Sequence, residues 1–228
     1  VGNFGVSIGA QLAAVRARVE AACARAGRSP ADVTLLAVSK LQPEAAIREA
    51  YDAGHRQFGE NYAQELRDKA KGLALPGLEW HAIGGLQDKN AKYVAKVAHA
   101  FHALDRAGLA DELDRRREGL PPLACYLEVN LAAEPSKGGV TPGGLPALLA
   151  HVRSRPNLRP VGLMALPPLE EEPEAARRWF RALRRLAEDE GLTGLSMGTT
   201  SDFELAVEEG ATVVRVGTAI FGERPPRR

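Results

Sequence analysis

Apolar residues along the chain follow two alternating rhythms. Near the start, Ile8, Leu12, Val15, Val19 and Cys23 recur at spacings of three and four, the period of one face of a helix. Gly27 ends that pattern, and Ser29-Pro30 is turn chemistry. Short β-branched and apolar runs then alternate with longer helical stretches. They predict strands over residues 33–39, 56–58, 80–83, 101–104, 123–129, 160–165, 194–197 and 212–216, eight in all. Seven helical segments lie between them. The clearest spans 171–190, where Ala175, Ala176, Trp179, Phe180, Leu183 and Leu186 mark one face.

Strands parted by helices cannot pair as hairpins, so they form right-handed βαβ units in a parallel sheet. Eight of them predict a closed (β/α)8 barrel of the TIM type, an α/β fold. Only residues 221–228 follow the eighth strand, too few for a closing helix. The N-terminal helix is therefore expected to cover the last strand pair and complete the helical ring. The rival architecture is an open doubly wound sheet, which would carry Gly-x-Gly-x-x-Gly after an early strand. The first strand instead runs into Val38-Ser39-Lys40-Leu41, with no glycine. No repeat, linker or low-complexity stretch divides the chain, so residues 1–228 read as one domain. The Pro-Pro-Arg-Arg tail reads as frayed.

Composition narrows the function classes. A chain of 228 residues can bury a full core without disulfides or structural metal. Its 30 basic and 29 acidic residues leave a net charge of +1. That provides no basic field for nucleic acid and no acidic excess suggesting disorder. Cys23 and Cys125 sit among apolar residues without Cys-x-x-Cys spacing, and read as buried free thiols rather than zinc ligands. No apolar run approaches the ~20 residues of a membrane span, and the N-terminus shows no basic-then-apolar leader. The expectation is a soluble cytoplasmic protein, numbered from after a processed or missing residue because it does not begin with Met.

In such barrels the chemistry lies at the C-terminal ends of the strands. Strand one ends at Lys40, where partial desolvation exposes a neutral amine suited to a Schiff base; a surface lysine at a strand end is the plain alternative. Strand two runs into Glu60-Asn61, read either as site residues or as a helix cap at Asn61. His81 lies inside strand three and faces either the lumen or the helices, as a ligand contact or a structural histidine. Lys137-Gly138-Gly139 after strand five serves turn geometry, and Pro167-Pro168 ends strand six.

Strand seven ends in Met197-Gly198-Thr199-Thr200-Ser201-Asp202. Ser201 and Glu204 predict a capping box opening a helix. Gly198, three hydroxyls and free amides there suit a phosphate, as does Gly217-Thr218 after strand eight. Arg215 stands in the apolar run Val213-Val214-Arg215-Val216 and must meet an anion or acceptor. An internal salt bridge to Glu60 or Glu128 competes with a ring nitrogen or a phosphate. His55, His99, His102 and His151 lack metal-ligand spacing, and Asp114-Arg115-Arg116-Arg117-Glu118 reads as a solvated helix face. Ser39 has no Gly-x-Ser-x-Gly context.

A strand-one lysine, two phosphate-suited loops and a buried arginine together suit pyridoxal 5′-phosphate. The sequence resembles the pyridoxal-phosphate homeostasis protein family, of the proline-synthase co-transcribed type, over nearly its whole length. The resemblance rests on six blocks in order. They are Ala37-Val38-Ser39-Lys40, Phe58-Gly59-Glu60-Asn61-Tyr62-Ala63-Gln64-Glu65, Trp80-His81-Ala82-Ile83-Gly84-Gly85-Leu86-Gln87, Gly162-Leu163-Met164-Ala165-Leu166-Pro167-Pro168, Leu195-Ser196-Met197-Gly198, and Val214-Arg215-Val216-Gly217-Thr218-Ala219-Ile220-Phe221-Gly222. It implies a barrel similar to that of alanine racemase, with Lys40 carrying the cofactor as an internal aldimine. It implies Asn61 beside Lys40, Met197 near the ring, Thr200, Gly217 and Thr218 on the phosphate, and Arg215 at the pyridine nitrogen. His81 and Gly198 complete the expected cofactor-binding set. Two departures stand out: Thr199-Thr200 replace the family's Met-Ser, and Lys89-Asn90 replace its Asn-Lys.

Two functions follow from that resemblance. One is a carrier that buffers pyridoxal phosphate or delivers it to apo-enzymes, acting as a monomer without nucleic acid or membrane. The other is an amino-acid racemase-like enzyme on the same barrel. A cation at the ring nitrogen weakens the ring as an electron sink. A two-base racemase also needs a second acid/base, which alanine racemases take as a tyrosine from a partner subunit's second domain. No argument promotes Tyr51, Tyr62, Tyr93 or Tyr126 to that role, and the chain leaves no residues for such a domain. The carrier is the favoured expectation.

Overall fold

A computed structural model describes residues 6–223. All eight predicted strands are present, with small shifts at their ends: β1 Thr34–Val38, β2 Gln57–Glu60, β3 Glu79–Ala82, β4 Ala100–Leu104, β5 Leu123–Glu128, β6 Leu158–Met164, β7 Gly194–Ser196 and β8 Val213–Val216. Every neighbouring pair is parallel. β1 pairs with β8 in the register Leu36↔Arg215, which closes the barrel. The helices are α1 Ile8–Arg25, α2 Glu44–Asp52, α3 Ala63–Gly72, α4 Ala91–Val97, α5 Ala107–Arg117, α6 Leu145–Arg153, α7 Arg177–Asp189, α8 Phe203–Glu208 and α9 Thr218–Phe221. Among the described residues, none is long and apolar enough to cross a membrane.

Helix α1 forms as its periodicity predicts. The Ser7 side chain caps it by accepting from the Ala10 amide at 3.2 Å, and Gly27 leaves it at φ +64°. It buries Leu12, Val15, Val19, Ala22 and Cys23 and packs against α2, α8 and α9. The ring around the barrel is thus completed by the N-terminal helix, as expected. Cys23 and Cys125 are buried free thiols.

The apolar residues divide into two cores. The larger lies between the strands and the helices and contains the fully buried Phe58, Phe101, Phe180 and Phe203. Truncating any one of these to alanine costs about 3–5 kcal/mol. The smaller core is the barrel lumen, where Leu36, Val38, Ile83 and Val213 meet Tyr126. Around it the lumen is polar: buried His81, His102, Ser196 and Arg215 join across it.

Three expectations are corrected. In the run read as a solvated helix face, Arg117 is buried and donates to the Ala95, Ala98 and Pro121 carbonyls. The helix predicted over 171–190 begins late: Pro173–Ala176 is a single 3₁₀ turn and α7 starts at Arg177. Proline drives the residue before it out of helical geometry, and Glu172 is extended at φ −97°, ψ 119°. The Ser201–Glu204 capping box does not form. The N-cap of α8 is Asp202, and Glu204 instead pairs with Arg18 of α1 at 2.9 Å. The carboxylate of Asp202 is drawn to the Thr199 amide, 2.7 Å away, which tightens the loop one residue further than a box would. The tail expected to fray lies outside the described residues.

Candidate functional site

The C-terminal ends of the strands open into a cleft of about 680 Å³, a size typical of small-molecule sites. Its floor is apolar, from Val38 and Ile83, with Arg215 beside them. Lys40 and Asn61 form one wall; Thr199, Thr200, Ser201, Gly217 and Thr218 form the other. Leu166, half exposed, and Leu169, 93% exposed, stand at the rim. Six of the expected cofactor-binding residues therefore share one cleft: Lys40, Asn61, Thr200, Arg215, Gly217 and Thr218.

Lys40 sits just past β1, in a turn closed by the Gln42 amide on the Ser39 carbonyl at 3.0 Å. The next residue, Leu41, has φ +62°, a conformation that costs a side-chain-bearing residue about 1–2 kcal/mol. The turn is clamped from outside. Lys69 of α3, 7% exposed, donates to the Ser39 carbonyl, Glu60 Oε1 and Glu65 Oε1, each at 2.7 Å. Glu65 Oε1 also accepts from the Leu41 amide at 2.6 Å, and Ser39 Oγ donates to Glu60 Oε1 at 2.6 Å. The backbone is thus gripped on both sides of Lys40. Burial pushes the Glu60 carboxyl up to about 6 against the opposing charge of Lys69.

Asn61 is not the cap of α3. Tyr62 holds that position and its side chain does not cap the helix amides, while Asn61 turns to the cleft, its buried Oδ1 without a hydrogen-bond partner. Glycine is required opposite, because a Cβ on Gly84 would lie 2.3 Å from the Asn61 carbonyl oxygen.

Arg215 is 5% exposed and makes neither of the salt bridges considered for it. Glu60 is committed to Lys69. Arg215 Nη1 donates to Ser196 Oγ at 2.7 Å and Nη2 to the Ala165 carbonyl at 3.1 Å. Burial lowers it to about 10, so it stays charged at neutral pH.

On the far wall the Gly217 amide donates to Thr200 Oγ1 at 3.3 Å, and α9 begins at Thr218 with no side-chain cap. The hydroxyls of Thr200, Ser201 and Thr218 and the amides near Gly217 match an anionic group.

The other three expected residues stand behind the cleft. His81 faces the lumen and meets His102 at 2.9 Å. Met197 is fully buried in the outer core. Gly198 has φ +94°, and a Cβ there would lie 2.5 Å from Ala206 Cβ, so it seats α8. Two smaller clefts lie elsewhere. One, of about 300 Å³, adjoins across Asn61 and is lined by Tyr62, Gln64, Gln87 and Asn90, whereas Lys89 is exposed. The other, of about 280 Å³, lies at the strand starts, where Arg16 and His55 satisfy each other at 3.1 Å. Neither gathers an amine, a guanidinium and an anion cradle.

Sequence reasoning missed Lys69, Glu65, His102 and Ser196. Glu65 and Lys69 were visible as an i,i+4 pair, and His102 as a polar residue inside an apolar strand.

The model of the family described as "Alanine racemase, N-terminal domain" matches residues 10–225. A "Pyridoxal phosphate homeostasis protein" of Pseudomonas aeruginosa is 48% identical over 221 residues, covering 96% of each chain. Its namesake in Escherichia coli is 46% identical over 222 residues, covering 93% of this chain and 95% of that one. The solved structure of PipY from Synechococcus elongatus "with PLP bound" is similar at TM-score 0.82 and 37% identity, over 95% of this chain and 100% of that one. Alanine racemase of Corynebacterium glutamicum shares the fold at TM-score 0.66 and 17% identity, with 94% of this chain matching 61% of that one.

Proposed function

The chain belongs to the pyridoxal phosphate homeostasis protein family, and from that premise we propose that it is a carrier of pyridoxal 5′-phosphate. It holds the cofactor as a Schiff base on Lys40 and serves its homeostasis and delivery to apo-enzymes in the cytoplasm, as a monomer in which residues 1–228 act as one cofactor-binding unit. One observation carries this reading: Lys40, Arg215 and the Thr200–Gly217–Thr218 wall line a single cleft with an apolar floor. That donor set fits an aldehyde, a pyridine ring and a phosphate. The PLP-bound relative at 37% identity supports it.

Each residue has a distinct task. Lys40 supplies the amine, held by the Lys69–Glu65–Glu60 clamp. Thr200 and Thr218 would offer hydroxyls to the phosphate, and Gly217, bonded to Thr200 through its amide, opens the first turn of α9 beside them. Asn61 lies beside the amine. Met197 and Gly198 hold the wall from behind, and His81 lies in the lumen behind Arg215. When bound, the group supplies an electron-withdrawing ring. Arg215, a charged group lining the cleft, would disfavour a proton on a ring nitrogen held against it and so would weaken that withdrawal. None of the four tyrosines lines the cleft, so no phenol stands ready as a second acid/base. Carrier function follows better than racemisation.

Borohydride treatment of the protein loaded with pyridoxal phosphate, followed by peptide mass mapping, tests the reading. The expected result is pyridoxyl label on Lys40 and none in Lys40→Ala. Label on another lysine, or rapid racemisation of added alanine by the native protein, overturns it.

A further inference from the structure

We infer that Ser196, His102 and His81 form a one-way hydrogen-bonded chain that positions Arg215 at the cleft floor, with both histidines carrying their proton on Nε2. The chain crosses the lumen from β8 to β7, β4 and β3. Arg215 Nη1 meets Ser196 Oγ at 2.7 Å, Ser196 Oγ meets His102 Nδ1 at 2.8 Å, and His102 Nε2 meets His81 Nδ1 at 2.9 Å. β4 and β7 are not neighbours in the barrel, so the middle contact bridges the lumen itself.

The direction follows from the donor inventory. A guanidinium only donates, so Ser196 Oγ accepts from Arg215. The Ser196 hydroxyl then has one proton to give, and its other partner is His102 Nδ1. If His102 carried its proton on Nδ1 instead, the hydroxyl proton of Ser196 would be left without an acceptor in a fully buried position. Orphaning a buried donor is the costly outcome. Nδ1 of His102 is therefore an acceptor, and its Nε2–H donates to His81 Nδ1. His81 in turn keeps its proton on Nε2.

Burial holds both rings neutral: it pushes His81 down to about 4 and His102 well below the usual imidazole range. The Tyr126 ring stacks on His102 at 4.3 Å and 22° and fixes the plane in which the bonds run. Ala165 O anchors the other end of the guanidinium at 3.1 Å. With Nη1 and Nη2 each held by one bond, the remaining N–H groups of Arg215 have no acceptor among the described residues, and the side chain lines the cleft. Ser196, His102 and His81 are positioning residues: they touch no ligand and act through Arg215.

Two arms test this. The first uses the cofactor-free protein and does not rest on the proposed function. ¹⁵N NMR of ring-labelled histidine at pH 7 is expected to show His81 and His102 as neutral Nε2–H tautomers, and an Nδ1–H tautomer or a charged ring at either position overturns the chain. The second rests on the carrier reading. Ser196→Ala is expected to weaken pyridoxal phosphate binding about tenfold, the loss of one bond to a charged group. It is also expected to shift the absorbance of the bound cofactor in the direction that Arg215→Gln does. Ser196→Thr, which keeps the hydroxyl, restores both. A Ser196→Ala protein with unchanged spectrum and affinity overturns the positioning role. Retention of bound colour in Lys40→Ala overturns the carrier reading and leaves the tautomer result standing.

Discussion

Lys69 shows how a residue can be central to the site and yet hidden in the sequence. On α3 it reads as an ordinary cation four residues after Glu65, the commonest kind of solvated pair. In the barrel its amine is buried and holds the turn that presents Lys40. The same turn places Leu41 at φ +62°, a strain that persists because Glu65 and Lys69 grip both of its flanks. Lys69→Met leaves Glu60, 1% exposed, without its counter-charge. That loss costs about 3–5 kcal/mol and is expected as a large drop in the urea midpoint. The double variant Lys69→Met, Glu60→Gln removes both charges and should recover most of the loss. A single variant within about 0.5 kcal/mol of wild type, the range of ordinary surface changes, would show that the clamp carries no weight. Lys40 and Arg215, by contrast, were legible in the sequence because each stood at or within a predicted strand end. Lys69 was not, because two of its three partners come from β2 and the loop after β1, which only the closed barrel brings to α3.

Strands were the most legible elements. In a barrel covered by helices they are buried on both faces, so they read as short apolar runs. What the runs concealed was which face each residue takes. Phe58 joins the outer core, whereas the Cβ that Gly59 lacks would sit 2.9 Å from Leu36 in the lumen. His81, His102 and Ser196 occupy inward positions of such runs, and only their bonds across the lumen show it. Helix starts were less legible, since Pro173 delays α7 and Asp202 displaces the Ser201 cap of α8. The α8 junction offers a test at this scale. Gly198→Ala would set a Cβ 2.5 Å from Ala206 at φ +94°, forcing α8 away from the strand end and dragging the Thr199–Ser201 wall with it. The expected effects are a destabilisation of about 1–3 kcal/mol and weakened binding of inorganic phosphate by the cofactor-free protein. Gly85→Ala, where an added Cβ meets nothing within 4 Å, is the control and should leave both unchanged. Equal effects from the two substitutions would separate the glycine from the wall.

Across the whole molecule, buried histidines and buried carboxyls are tuned in opposite senses, and the stability curve should carry both signatures. Burial depresses His55 and His81 to about 4 from 6.5. The unfolded chain takes up these protons as pH falls below 6.5 and the folded chain only near 4, so stability is lost on acidification across that interval. Burial raises Glu60 to about 6 and Glu128 to about 7 from 4.5, with the nearby Asp105 adding to the rise at Glu128 and Arg215 opposing it. The folded chain keeps those protons after the unfolded chain has released them, so stability is lost as pH rises from 4.5 toward 7. The trends oppose each other between about pH 4.5 and 6.5, where two raised carboxyls offset part of the loss from three depressed histidines, His102 included, so stability falls only shallowly on acidification there and more steeply below it. Glu128→Gln removes the larger carboxyl contribution. Its stability should therefore tilt, falling steadily from pH 6.5 to 4, and relative to wild type it should gain up to about 3 kcal/mol between pH 5 and pH 8. Urea midpoints of the two proteins from pH 4 to 8 measure this directly. Parallel curves would place the Glu128 carboxyl in an ordinary solvated state.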